Sequence, residues 1–126
     1  MMRAAKRAVT KRSKYGAQRV TVDGEVFHSK AEARRWAELK LLEKAGQLHG
    51  LRRQVPFVLH APVIGGRGGT ALNVEVARYV ADAVYHKGDA LVVEDVKGGP
   101  STPLFKLKKR WLLAEYGLTI REVRYR

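Results

Sequence analysis

Two apolar runs of this chain, Tyr79-Val80-Ala81-Asp82 and Val92-Val93-Glu94-Asp95-Val96-Lys97-Gly98, carry acid where a buried strand ordinarily has none. Along an extended strand side chains alternate faces, so Asp95 and Lys97 project to one side while Glu94 and Val96 project to the other. The polar segment His86-Lys87-Gly88-Asp89 between the runs has the composition of a hairpin turn, which brings Asp82 across from the Val93 to Asp95 region. Two carboxylates and a lysine then meet at one spot. Hard carboxylate oxygens suit a divalent cation, and a cation beside an ammonium is the equipment for setting a water against a phosphodiester.

A third carboxylate is predicted on an early helix. Ser29-Lys30-Ala31-Glu32 opens it, with Ser29 as the capping residue, and the apolar pattern continues through Trp36, Leu39, Leu42 and Ala45 until Gly46. Ser-x-x-Glu is by itself a capping box and gives Glu32 a purely structural reason to be there. At about 100° per residue, however, Glu32 lies within about 40° of Trp36 and Leu39, on the face that packs against a sheet. A carboxylate on a buried face calls for a cation. The Asp95 and Lys97 pair also has a bland reading, a same-face ion pair, but exposed pairs contribute only about 0–1 kcal/mol and give no reason to interrupt a valine-rich strand.

The other elements follow from local signals. Val20-Thr21-Val22 and Val26-Phe27 flank Asp23-Gly24, a tight-turn pair. Leu51 to His60 reads as a strand whose Pro56 suits a sheet edge or a strand start, and Gly65-Gly66-Arg67-Gly68-Gly69 reads as a connector, since no Gly-Lys-Ser/Thr ends it. Strands are predicted near 73–85 and 90–97. Thr102-Pro103 starts a second helix that runs to Gly117, and Thr119 to Tyr125 closes the chain as a half-buried strand. The order β-β-α-β-β-β-α-β describes an α/β sheet flanked by two helices. Trp36 and Trp111 read as core residues, and His28, His49, His60 and His86 lack the spacing of metal ligands.

Lys+Arg number 25 against 12 Asp+Glu, a formal charge of +13 on 126 residues, and such a field attracts polyanions. The size is that of one domain, expected over residues 20–126 behind a flexible basic arm at 1–19. With no cysteine there is no disulfide framework, thiol nucleophile or thiolate zinc site. No run is long and apolar enough to span a bilayer and no signal peptide is legible, so the expected location is cytoplasmic, with no membrane partner. The candidates for phosphate contact are Arg12 and Lys14 in the arm, Ser29 at the helix start, Arg67 in the glycine-rich loop, and Lys106, Lys108, Lys109 and Arg110 on the second helix.

Glu32 on an early helix, Asp82 on one strand and Asp95-Val96-Lys97 on the next together resemble the PD-(D/E)xK nuclease superfamily, and within it the small phage-encoded and archaeal-type Holliday junction resolvases. The likeness spans roughly Phe27 to Tyr125. Ala81 stands where the superfamily pattern has proline, and Glu94 is an extra acid next to Asp95. The resemblance implies a restriction-endonuclease-like fold, a central mixed sheet flanked by helices with core order α-β-β-β-α-β. It implies that Asp82 and Asp95 bind Mg²⁺ or Mn²⁺ with the Val96 carbonyl, that Glu32 completes the metal position, and that Lys97 orients the attacking water. It also implies a homodimer cutting four-way DNA junctions, with no small-molecule cofactor, in the host cytoplasm if phage-encoded. Two other readings stay open: another DNA nuclease of the superfamily (restriction-like, flap or packaging-associated), and a non-catalytic basic nucleic-acid-binding protein, which leaves Asp82 and Asp95 unexplained.

Overall fold

The computed structural model describes residues 19–63 and 72–125. Arg12, Lys14 and Arg67, and nearly all of the basic arm, lie outside the described residues. The elements run β1 (Val20–Val22), β2 (Glu25–Phe27), α1 (Lys30–Lys44), β3 (His49–Val63), β4 (Leu72–Lys87), β5 (Ala90–Val96), α2 (Pro103–Tyr116) and β6 (Ile120–Val123). β1 and β2 form a separate antiparallel ribbon, and the main sheet has the order β3-β4-β5-β6. Its first two pairings are antiparallel and the last is parallel. That parallel pair needs a crossover, which α2 supplies. The predicted element order and the mixed α/β sheet are therefore both present.

Local chemistry explains most boundaries. Asp23 and Gly24 both have positive φ, 51° and 80°, as a tight hairpin turn requires. Ser29 caps α1 by accepting from the Glu32 amide at 3.1 Å, and Thr102 caps α2 by accepting from the Phe105 amide at 3.1 Å. Pro103 follows at the first turn, and Gly117 ends α2 in the left-handed region at φ 69°. Pro56 sits on edge strand β3, where its missing N–H costs the sheet least. Strands β3 and β4 are longer than their patterns predict. They pair as far as Val63 and Leu72, whereas on its other side β4 pairs with β5 only over Ala83–Lys87.

The two helices cover opposite faces of the sheet. On the α2 side, Phe105 and Leu112 pack with Leu59, Tyr79, Ala81, Val84, Val93 and Ile120. On the α1 side, Leu39 and Trp36 pack with Leu48, Leu51, Ala83, Tyr85 and Val92. The odd-numbered residues change sides partway along both long strands. Val55, Phe57, Tyr79 and Ala81 belong to the α2 cluster, Leu51, Ala83 and Tyr85 to the α1 cluster. The registers Val55↔Ala81 and Arg53↔Ala83 are continuous across this point, so both strands break phase together, at Gln54 and Asp82. Gln54 adopts φ 54°, a left-handed conformation that non-glycine residues rarely hold and that concentrates at functional sites.

Candidate active site

Asp82 sits at that break. Continuing the Ala83↔Glu94 register by one residue places it opposite Asp95, as the hairpin predicted. Its Oδ2 accepts from the Val96 amide at 2.7 Å, tying β4 to the third residue of the Glu94-Asp95-Val96 run. It lines a small pocket with Phe27, Glu32, Trp36, Leu39 and Arg53. Burial, then the Glu32 carboxyl close enough to share a proton, then the charge of Asp95 push its pKa from 3.8 up to about 8. This is an acid whose negative charge the surrounding protein does not compensate, the condition under which a carboxyl takes up either a proton or a cation.

Glu32 is 7% exposed. Its position follows from α1: the Ser29 cap fixes the helix start, and the third helical position then points inward with Leu39. The capping box is only half realised, because the Glu32 Oε1 accepts from the His28 amide at 2.7 Å while Oε2 accepts from Gln54 Nε2 at 3.4 Å. The side chain is thereby turned toward the phase break and Asp82.

Asp95 is buried on the α2 side of the sheet. Its Oδ1 accepts from the Tyr79 hydroxyl at 3.0 Å and its Oδ2 lies 2.9 Å from Lys97 Nζ. Burial and the Asp95 charge push the Tyr79 hydroxyl pKa up, which keeps it a donor. Lys97 Nζ also stands 3.2 Å from the centre of the Phe105 ring, so its ammonium is held by a carboxylate on one side and an aromatic face on the other. Asp95 and Lys97 do share a face, as the alternation predicts.

The four residues are thus brought to one region as two adjacent pairs: Glu32 with Asp82 on the α1 side, and Asp95 with Lys97 on the α2 side. Among the described residues no three His, Cys, Asp or Glu side chains are closed around a common point at ligating distance. The chemistry of the donors nevertheless fits a hard divalent ion. Asp82, uncompensated, stands between Glu32 and Asp95, and each of the three carboxylates accepts few enough hydrogen bonds to leave lone pairs free.

Glu94, the extra acid, belongs to a different construction. It is fully buried and takes a two-pronged contact from Arg35 on α1, Nε to Oε1 at 2.8 Å and Nη2 to Oε2 at 2.7 Å. The Tyr85 hydroxyl donates to the same carboxylate. The Glu94 contact raises the Arg35 pKa, while burial, ahead of Glu94, pushes the Tyr85 hydroxyl up to about 12.

The basic candidates divide. Ser29 is occupied as a helix cap. Lys109 is paired with Glu122 at 2.5 Å. Lys106 and Arg110 are exposed and line a groove of about 410 Å³ with Ser101, Phe105 and Thr119. Phe105, the ring that Lys97 Nζ contacts, forms part of the groove's wall. Lys108 is half-buried.

The sequence alone missed Gln54, Tyr79 and Arg53. Arg53 stacks on Phe27 at 3.9 Å and donates to the Val26 carbonyl, holding the β1–β2 ribbon against the site. Its Nε and the Trp36 Nε1 are buried and have no hydrogen-bond partner among the described residues. A polar pair, Arg53-Gln54, ahead of the apolar run Val55 to Leu59 was the one signal available.

The fold and site define an α/β protein in which a mixed four-stranded sheet between two helices carries a carboxylate–lysine cluster. Residues 12–125 match the family described as a protein of unknown function, DUF1064, and the chain belongs to that family. No curated protein and no solved structure matches the chain. Among the described residues no helix is long and apolar enough to cross a membrane.

Proposed function

We propose that this protein is a Mg²⁺-dependent DNA endonuclease that resolves four-way junctions by phosphodiester hydrolysis, acting as a homodimer. The observation that carries the reading is Asp82. A carboxylate is held at a break in two strands, is bonded to the Val96 amide at 2.7 Å, and has its pKa pushed up to about 8 by burial, Glu32 and Asp95. A protein that only binds nucleic acid through its +13 charge gains nothing from three clustered carboxylates, which repel phosphate unless a cation stands between.

Asp82 and Asp95 would hold the Mg²⁺ (or Mn²⁺), with the Val96 carbonyl and Glu32 completing its position. When bound, the ion supplies Lewis acidity: it lowers the pKa of a water and offsets charge on the phosphoryl oxygens. The protein's own residues do the positioning. Lys97, fixed between Asp95 and the Phe105 ring, donates to the attacking water and aims its lone pair at phosphorus. The water oxygen forms the new P–O bond and its proton leaves toward the carboxylates, while the departing sugar oxygen takes up a proton from a solvent water as the old P–O bond breaks. Tyr79, donating to Asp95 Oδ1, keeps that carboxylate from rotating away. Lys106 and Arg110 along the groove beside Phe105 supply phosphate contacts on the strand leading into the site, with Arg12, Lys14 and Arg67 as further candidates.

The test is cleavage of an end-labelled four-way junction beside linear duplex of the same arm sequence, in Mg²⁺ and in EDTA. The reading predicts Mg²⁺-dependent cutting that favours the junction. Equal cutting of both substrates leaves a nuclease but removes the resolvase, and no cutting in Mg²⁺ or Mn²⁺ removes both.

A further inference from the structure

We propose that the Arg35–Glu94 pair is a positioning clamp that sets α1 against β5 and so fixes Glu32 relative to Asp95, an inference that rests on the metal-dependent nuclease reading. Arg35 follows Glu32 by one helical turn, and residues three apart have Cβ atoms only about 5–6 Å from each other on a helix surface. Glu94 immediately precedes Asp95 on β5. A bond between Arg35 and Glu94, 59 residues apart in sequence, therefore joins the backbone carrying one site carboxylate to the backbone carrying another.

Stability alone gives a poor account of this pair. Glu94 has a side-chain exposure of 0% and Arg35 of 15%, so both charges are drawn from water. Replacing such a pair with apolar residues of similar volume is often neutral or stabilising. The flanking residues Val92 and Val93 show that β5 accepts an aliphatic side chain on either face. What an aliphatic contact cannot supply is direction. The planar guanidinium meets the carboxylate through two parallel N–H···O bonds of 2.8 and 2.7 Å, which fix rotation as well as separation. Tyr85 donates a third hydrogen bond to that carboxylate, at Glu94 Oε2. On the helix side, Arg35 Nη1 also bonds Glu38 Oε1 at 3.1 Å, and the Tyr125 hydroxyl donates to the same oxygen at 2.7 Å. The helix is thus pinned by directional bonds on the turn next to Glu32, in addition to the packing of Leu39 and Trp36 and the bond from the Leu51 amide to Glu43 near its far end.

The experiment compares wild type with Arg35→Met, Arg35→Lys and the double variant Arg35→Met/Glu94→Leu. The readouts are thermal melting, Mn²⁺ binding from the loss of the free-ion EPR signal, and Mg²⁺-dependent junction cleavage. Arg35→Met strands a buried carboxylate and loses stability. The double variant recovers wild-type melting, yet its Mn²⁺ half-saturation rises and its cleavage falls by about 10–100-fold, the scale on which groups that orient metal ligands act. Arg35→Lys keeps the charge and loses the fork, so it shows the same binding defect in a folded protein should the double variant not fold. Folded variants that bind Mn²⁺ and cut like wild type overturn the clamp. Wild type that binds Mn²⁺ without cutting overturns the nuclease reading and leaves the clamp to be judged on Mn²⁺ binding, and wild type that does neither overturns both.

Discussion

Substituting Asp82→Asn should stabilise the metal-free protein at alkaline pH while destroying its activity. The folded-state pKa of Asp82 is raised from 3.8 to about 8, so the native state holds a proton that the unfolded chain releases. A raised folded pKa contributes stability that is fully present below the unfolded value and is lost as pH climbs through the folded one. Stability from this residue therefore declines between pH ~4 and ~8 and is flat above. Taken in full the change corresponds to ~6 kcal/mol at ~1.4 kcal/mol per pH unit. The side chain is only partly buried, and solvent screening brings the expected figure to on the order of 2 kcal/mol. For a domain of this size that is roughly 6–10 °C in melting temperature. The assay is thermal melting of wild type and Asp82→Asn in EDTA at intervals from pH 5 to pH 9, taking the difference so that other titrations cancel. The asparagine variant should gain on wild type as pH rises and hold its advantage above pH ~8. Adding Mg²⁺ at pH 8 should raise the melting temperature of wild type and leave the variant unmoved. Curves that stay parallel across the range, or equal responses to Mg²⁺, would refute the idea that Asp82 carries an uncompensated charge in a cation site.

Asp95→Asn and Lys97→Ala should each abolish cutting with melting temperature and junction affinity largely kept, read by gel shift and single-turnover cleavage on one preparation; wild-type turnover in either removes that residue from the mechanism. Glu32→Gln should reduce cleavage more than it reduces stability, since the Ser29 cap survives it; the capping reading predicts instead a loss of about 0.5–1 kcal/mol with full activity. Junction affinity should fall with salt at a log–log slope near 0.9 per phosphate contact. Lys106→Ala and Arg110→Ala should each lower that slope by about one, while Lys109→Ala, whose ammonium is held by Glu122, should change it little.

The parts of this fold legible in the sequence are those set by local chemistry. Ser29 and Thr102-Pro103 announce helix starts, Gly117 an end, and Asp23-Gly24 a hairpin, because each satisfies backbone groups within a few residues of itself. The alternation of Asp95 and Lys97 was equally local. The break at Gln54 and Asp82 was not, since strand periodicity presumes an unbroken phase, and a glutamine at φ 54° meets its side-chain partner, Glu32, only through the tertiary fold. For the same reason Glu94 read as a spare acid: its partner Arg35 lies a helix and two strands away. Glu32 was ambiguous from sequence because the same side chain serves the helix start and faces the cluster, and in the folded chain it does both.

The most direct test of the central claim is cleavage of a supercoiled plasmid bearing an extruded cruciform, in Mg²⁺, by wild type and by Asp95→Asn. Two matched cuts across one junction, made by a two-fold symmetric dimer before it dissociates, convert the plasmid to linear product. The account predicts linear DNA from wild type, intact supercoils from Asp95→Asn and from wild type in EDTA, and a dimer by light scattering at the same concentration. Nicked circles from a monomer would contradict junction resolution, and supercoils left intact by wild type in both Mg²⁺ and Mn²⁺ would contradict the nuclease itself.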